Sequence, residues 1–229
     1  MMDKRYERNI GTLTKSENDK LKDFKVCIVG CGGLGGYVIE MLSRLGIGYL
    51  KLVDEDIFDV SNLNRQILCN ENNIGQNKAI EAKERIKLIN SNVNIDIVSE
   101  YLDSNNCEKI INNCHLVIDA LDNIKTRFIL QKYCEILNIP LIHGAISGWY
   151  GQVSTIYPGD NNLAYIYKSK KEVDNKLGNP SFTPGLVASI QVSETIKVLL
   201  NKGEILRNKV LFIDLLYGEY NIIEIDKTY

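Results

Sequence analysis

Short apolar runs alternate with helix-length stretches through the first two thirds of the chain. Residues 25–29, 49–53, 93–98, 115–120 and a run opening at 140–143 read as strands. Between them, apolar or small residues at helical spacing predict helices over about 34–45, 76–89, 104–112 and 123–137. Gly46-Ile47-Gly48 breaks the first of these, and Asp103 or Ser104 fits the cap of the third. A shorter helix over 15–22 comes first, capped by Thr14 or Ser16. Strand and helix in strict alternation predict an α/β fold with a parallel, doubly wound sheet.

The pattern changes after Gly144. Residues 149–157 alternate as an antiparallel strand does. The stretch 158–184 is polar, lacks periodicity and holds three of the four prolines, which predicts a loop that is mobile or meets a partner. A helix over 186–200 follows, then two strands at 209–215 and 220–225 flanking Tyr217-Gly218 as a hairpin. No internal repeat and no linker is evident. The expected organisation of residues 1–229 is one domain: an N-terminal helical arm (1–24), a core (25–145) and an antiparallel C-terminal extension (146–229).

Composition narrows the function. A chain of 229 residues can bury a sizeable core, and its 45% apolar content is ordinary for a globular protein. A net charge of −2 without a basic block argues against nucleic acid as a partner. No apolar run approaches the roughly 20 residues of a membrane span. The polar, charged start is not a signal peptide. Six cysteines spread among predicted core elements read as reduced thiols in a cytoplasmic protein.

The chemistry begins where the first strand ends. Gly30, Gly32 and Gly35 form G-x-G-x-x-G, with Gly33 and Leu34 between, at a strand-to-helix turn. Such a turn aims backbone N–H groups and a helix N-terminus at one point, an anion site suited to phosphate. Asp54 ends the second strand, 24 residues past Gly30, about where a dinucleotide fold holds a ribose hydroxyl; a solvated acidic turn is the alternative, and the glycine loop at this spacing favours ribose. Arg65 and Lys78 follow on the face where phosphates would lie. Two extra cations suit a triphosphate better than a pyrophosphate. The fourth strand ends in Asp119-Ala120-Leu121-Asp122-Asn123. Asp122 fits a helix cap and a Mg²⁺ ligand equally well.

Together these segments resemble the ThiF/MoeB/HesA family, relatives of the ubiquitin-activating enzymes. The resemblance runs from Arg5-Tyr6-Glu7-Arg8 through the glycine loop and Asp54. It continues over Ser61-Asn62-Leu63-Asn64-Arg65-Gln66, Gly75-Gln76-Asn77-Lys78, Leu121-Asp122-Asn123, His143-Gly144-Ala145 and Gly151-Gln152-Val153. It implies a Rossmann-like, mainly parallel sheet and an adenylyltransferase that uses ATP and Mg²⁺. The substrate implied is the C-terminal carboxylate of a small β-grasp carrier protein ending in Gly-Gly, activated as an acyl-adenylate with release of pyrophosphate. By motif, the glycine loop cradles phosphate and Asp54 binds ribose. Asn62, Arg65, Gln66 and Lys78 contact phosphates, Leu121 and Asn123 border the nucleotide, and Asp122 positions Mg²⁺. Arg8 reaches the ATP of the other subunit in a homodimer. Thiamine-pathway and molybdopterin-type carriers, a ribosomal peptide, and the small carboxylate of a tRNA-modifying relative all fit.

The chain departs from that pattern in its cysteines. Many members carry two C-x-x-C pairs that bind structural zinc, and this sequence has none, so no structural zinc is expected. Cys27 and Cys31 read as core residues, His115 and His143 as structural. The 158–184 loop has no cysteine to take the product onward; Cys69, just after Gln66, is the remaining candidate. Trp149, Tyr150 and residues 165–171 are the expected carrier-facing surface. An NAD-dependent oxidoreductase shares the glycine loop and Asp54 but leaves Arg65 and Lys78 without a role. A non-catalytic half of a heterodimer would be expected to lose Arg8, Arg65, Lys78 and Asp122, all of which are present.

Overall fold

The computed structural model describes residues 3–168 and 177–225. One eight-stranded sheet organises them, in the order β3-β2-β1-β4-β5-β6-β7-β8. Strands β1 (Lys25–Val29), β2 (Tyr49–Val53), β3 (Asn94–Val98), β4 (Leu116–Asp119) and β5 (Leu141–Ser147) run parallel. Strands β6 (Tyr150–Ile156), β7 (Lys209–Asp214) and β8 (Glu219–Glu224) continue it antiparallel. The mainly parallel α/β fold with an antiparallel extension is therefore present as expected.

Strand β1 shows why both faces are covered. Val26 and Ile28 enter the core under α2 (Gly33–Leu45), α3 (Lys78–Ile89) and α7 (Phe182–Leu200), while Cys27 and Val29 enter the core under α4 (Cys107–Ile111), α5 (Ile124–Ile136) and α6 (Asn162–Ile166). All four are essentially inaccessible. Two-sided burial explains the continuous apolar run. Each such side chain contributes roughly 1.5–3 kcal/mol. Strand order reverses between β1 and β4, so the carboxyl ends of these two strands flank the crevice where ligands of open α/β sheets bind.

The extension is packed hard onto this core. A Cβ at Gly144 would lie 2.4 Å from the Gln191 side chain, and one at Gly151 would lie 2.4 Å from Val187. Bare backbone at both points lets α7 lie directly on β5 and β6. Gln191 then donates to the carbonyls of Asp119 (2.9 Å) and Ile142 (3.3 Å). Buried Glu194 accepts from Thr155 Oγ1 and the Leu206 amide, both at 2.7 Å.

Helix α1 (Lys15–Leu21) starts where the sequence places it, with Thr14 as its cap in a reciprocal capping box with Glu17. Three boundaries differ from the sequence reading. Helix α4 starts later than expected because Asp103 and Asn106 close a turn on each other's amides. Helix α7 starts at Phe182, with Pro184 in its first turn, where no N–H is needed. The expected loop 158–184 also contains helix α6; residues 169–176 of it lie outside the described residues. Asparagines, not glycines, hold the left-handed positions after α4, α5 and α7, at Asn113, Asn138 and Asn201.

Ile118 sits at the centre of β4, paired to both β1 and β5 and fully buried. Ile118→Ala should cost about 2–5 kcal/mol, read as a lower urea midpoint at unchanged m-value; an unchanged midpoint would contradict this placement of the core.

Candidate functional site

Most of the sequence-predicted residues gather at the carboxyl ends of β1, β2 and β4. The glycine loop is shaped by contact. Gly30 has φ +99°, and a Cβ there would lie 2.5 Å from the Ala120 carbonyl oxygen. A Cβ on Gly35 would lie 1.8 Å from the Gly30 carbonyl oxygen. The loop can therefore close against the turn after β4 only with glycine at both positions. Helix α2 opens at Gly32 with no side-chain cap, which leaves its first N–H groups directed at the crevice. Leu34 is buried beneath them.

Arg65 and Gln66 lie over this helix start. The nearest side chain to a Cβ on Gly33 is Arg65 at 3.6 Å, and to one on Gly32 it is Gln66 at 3.5 Å. Arg65 Nη1 donates to the Ser61 carbonyl (3.1 Å) and Asn64 Oδ1 (2.8 Å). Asn64 in turn donates to the Asn179 carbonyl at 3.1 Å, and Asn179 Oδ1 accepts from the Gly148 amide. Gln66 is buried, and its Oε1 has no protein donor among the described residues. An orphaned buried acceptor against the phosphate loop suits a ligand that brings a donor. Buried Asn62 is more committed: its Oδ1 accepts from the Asp59 amide at 3.1 Å in a second capping box.

Asp54 faces the same crevice. Its Oδ2 accepts from the Cys31 amide at 2.6 Å and its Oδ1 from the Asp56 amide at 2.9 Å. Burial pushes its carboxyl above the usual carboxylate range, opposed by these two amides and by Lys78. Lys78 opens α3, is almost wholly buried, and donates to Asp56 Oδ2 at 2.9 Å. Asp56 is thus the partner of Lys78, a role the sequence did not reveal because the two are 22 residues apart.

The fourth-strand turn excludes one of the two readings of Asp122. Asn123, not Asp122, caps α5, accepting from the Thr126 amide at 2.8 Å. Asp122 is exposed and, among the described residues, its carboxylate has no hydrogen bond or ion pair. Leu121 is fixed on both sides, its N–H by Asp119 Oδ1 at 3.0 Å and its carbonyl by Arg127. No cluster of three or more His, Cys, Asp or Glu able to hold a metal exists among the described residues. One free carboxylate still suits Mg²⁺, which is commonly held by one or two carboxylates together with substrate phosphates.

Arg8 lies elsewhere. It is exposed on a 3-10 turn, Lys4–Asn9, at the opposite end of the sheet. That turn is pinned where Tyr6 meets Gly46 and bonds Asn90, both of which precede the amino ends of strands.

Beneath the Leu121–Asp122 turn lies a buried polar network the sequence reading missed. His143 Nδ1 donates to Asp119 Oδ2 at 2.7 Å, and Arg127 lies alongside. Burial pushes His143 below its ordinary value, against the opposing pull of Asp119. The neutral ring leaves Nε2 as acceptor for Gln152 and Tyr167. His143 is structural, as read; His115 likewise accepts from the Lys25 amide and packs edge-on against Phe24. Cys27 and Cys31 are core residues. Cys69 is only partly exposed, and burial raises its pKa, which leaves the thiol unactivated. No described helix is long and apolar enough to cross a membrane.

A ThiF family profile matches residues 6–228. The SAMP-activating enzyme E1 of Haloferax volcanii is 33% identical over 217 residues, covering 92% of this chain and 80% of that protein. The molybdopterin-synthase adenylyltransferase of Haemophilus influenzae is 36% identical over 219 residues, covering 92% and 89%. The chain spans 64% and 52% of two longer relatives, both called probable molybdopterin-synthase adenylyltransferase, from Gracilaria tenuistipitata and Porphyra purpurea. Among solved structures, E. coli MccB crystallised with ATP shares the fold, with a TM-score of 0.84 and 23% identity over 98% of this chain and 72% of that one.

His143 gives a pH signature. Its folded-state pKa is lowered, so its contribution to stability is present above the unfolded value of about 6.5 and is lost as pH falls through the folded value. The stability gap between wild type and His143→Gln should be constant above pH 7 and shrink below it in urea titrations; a gap flat from pH 8 to 5 would contradict a buried neutral imidazole. The loop, the cations and the turn converge on one crevice in a chain matched over nearly its whole length, and this protein belongs to the ThiF family.

Proposed function

We propose that this ThiF-family adenylyltransferase activates the C-terminal carboxylate of a small ubiquitin-like sulfur carrier protein ending in Gly-Gly. The carrier carboxylate oxygen attacks the α-phosphorus of ATP. The bond from that phosphorus to the bridging oxygen of the β-phosphate breaks, giving an acyl-adenylate and pyrophosphate. The single observation that carries this reading is the unpartnered Asp122 carboxylate at the strand-order reversal, across from the uncapped start of α2. Two relatives support an activating, adenylating reaction by their names, a SAMP-activating enzyme E1 and a molybdopterin-synthase adenylyltransferase.

The geometry supports each role in this reading. The N–H groups of Gly33, Leu34 and Gly35 receive phosphate oxygens. Asp54 takes ribose hydroxyls, its raised pKa being offset by the hydrogen bonds it makes. Arg65, resting on Gly33, meets the phosphates along its planar fork, and Lys78 turns from Asp56 to the growing charge on pyrophosphate. Asn62 retains its Nδ2 for a phosphate oxygen, and Gln66 Oε1 receives a donor from the nucleotide. Mg²⁺, when bound, neutralises phosphate charge and steadies the leaving pyrophosphate; Asp122 is the residue that would hold it. No protein nucleophile is needed, because the reaction rests on alignment and charge stabilisation.

Arg8 lies at the far end of its own sheet, so its contribution requires a second subunit. We propose a homodimer in which each Arg8 completes the other subunit's site.

ATP–pyrophosphate exchange with candidate carriers ending in Gly-Gly tests the reaction, and exchange with none of them would overturn it. Asp122→Ala and Arg65→Ala should each lower exchange about 100-fold or more with the melting temperature unchanged; near-normal rates would remove those roles. Arg8→Ala and Asp122→Ala, each inactive alone, should regain exchange when mixed and allowed to trade subunits. No recovery after verified subunit exchange would place Arg8 outside the site.

A further inference from the structure

The turn that presents Asp122 has four flanking main-chain groups held. The Ala120 amide donates to the Val29 carbonyl at 2.9 Å. The Asp119 carbonyl accepts from Gln191 at 2.9 Å, and the Leu121 amide donates to Asp119 Oδ1 at 3.0 Å. The last group, the Leu121 carbonyl, accepts from Arg127 Nη2. It is the one immediately before Asp122.

Arg127 is itself buried, and its charge has few resources. Asp119 Oδ2 lies 3.7 Å from its Nε, beyond hydrogen-bond reach, and that Nε is among the buried atoms without a partner. Asp119 Oδ2 is already taken by His143 at 2.7 Å. The guanidinium is therefore located chiefly by its two ends: Nη2 on the Leu121 carbonyl and Nη1 on the Tyr167 hydroxyl. The Tyr167 ring also lies 5.5 Å from the guanidinium carbon, and Gln152 donates to the same hydroxyl at 3.1 Å. Tyr167 belongs to the segment between β6 and α7, follows α6 directly, and is distant in sequence from the turn.

We infer that Arg127 is a positioning residue for Asp122: it sets the Leu121 carbonyl, and through it the Asp122 carboxylate, while Tyr167 holds its opposite end. The inference rests on the reading of Asp122 as the Mg²⁺ ligand. It makes the metal affinity of the ATP complex depend on a tyrosine that touches neither metal nor nucleotide.

Calorimetric titration of the whole chain with ATP, at graded MgCl₂ and in EDTA, tests it without any carrier. Arg127→Lys should raise the Mg²⁺ concentration for half-maximal ATP binding about tenfold, the scale of one hydrogen bond from a charged donor. Tyr167→Phe should raise it about threefold, removing one neutral acceptor. Binding of ATP in EDTA should stay at the wild-type level in both. A purely structural role would lower melting temperature and leave the Mg²⁺ dependence alone. Wild-type Mg²⁺ dependence in folded Arg127→Lys overturns the inference; should that variant not fold, wild-type dependence in Tyr167→Phe does so. Asp122→Asn is the control. If it shifts the Mg²⁺ dependence while the other two do not, the positioning role alone fails. If it shifts nothing, the metal role of Asp122 fails and the inference falls with it.

Discussion

The approach of Gly35 to Gly30 is the constraint on which the rest of the structure depends. At 1.8 Å from a carbonyl oxygen there is no space for one further carbon, and the Gly30 position is closed against Ala120 in the same way. These contacts bring the start of α2 against the end of β4. Only then do an uncapped helix N-terminus and the Asp122 turn share a crevice. Arg65 and Gln66 complete it from the other side, because Gly33 and Gly32 leave their flanks bare.

A second principle divides the site into held and presented groups. Asp119, Asn123 and His143 are held by one another or by the backbone, and Gln191 donates to the backbone beneath them. At the crevice, Asp122 and Gln66 Oε1 are left over; Arg127 Nε, Asn162 Oδ1 and Gln191 Oε1 are buried without partners away from it. Buried polar groups ordinarily find partners, so an unsatisfied one that borders the crevice suits a ligand. The division also explains why exposed Asp122 needs so much buried machinery. A carboxylate on a short turn has a direction only if the turn has one.

Legibility in the sequence followed the range of the interaction. β1 and β2 were readable to the residue: two-sided burial writes an unbroken apolar run over 26–29 of β1, and β2 is apolar but for Tyr49 at its start and Lys51 at its middle. The loop glycines, Arg65 and Asp122 could be picked out as site candidates because each lies in a short motif of fixed spacing. Pro184 misled the start of α7, since proline marks a helix's first turn as readily as its absence. Asp122 could not be separated from a cap until Asn123 was seen to take that work. The pairing of Lys78 with Asp56, and of Arg127 with Tyr167, left no local trace: each joins residues far apart in the chain through contacts that only the folded backbone creates.

The two links from the extension into the core, Gln191 to the Asp119 carbonyl and Asn179 through Asn64 to Arg65, bear on modularity. The half that carries the glycine loop and the antiparallel half are not interchangeable parts. Exchanging residues 146–229 for those of a relative, as a route to a new partner preference, would also replace the floor under Asp122 and the brace behind Arg65. Under the proposed function, partner choice and nucleotide handling would have to change together, which ties the diversification of such a chain to compensating changes on both sides of these two links.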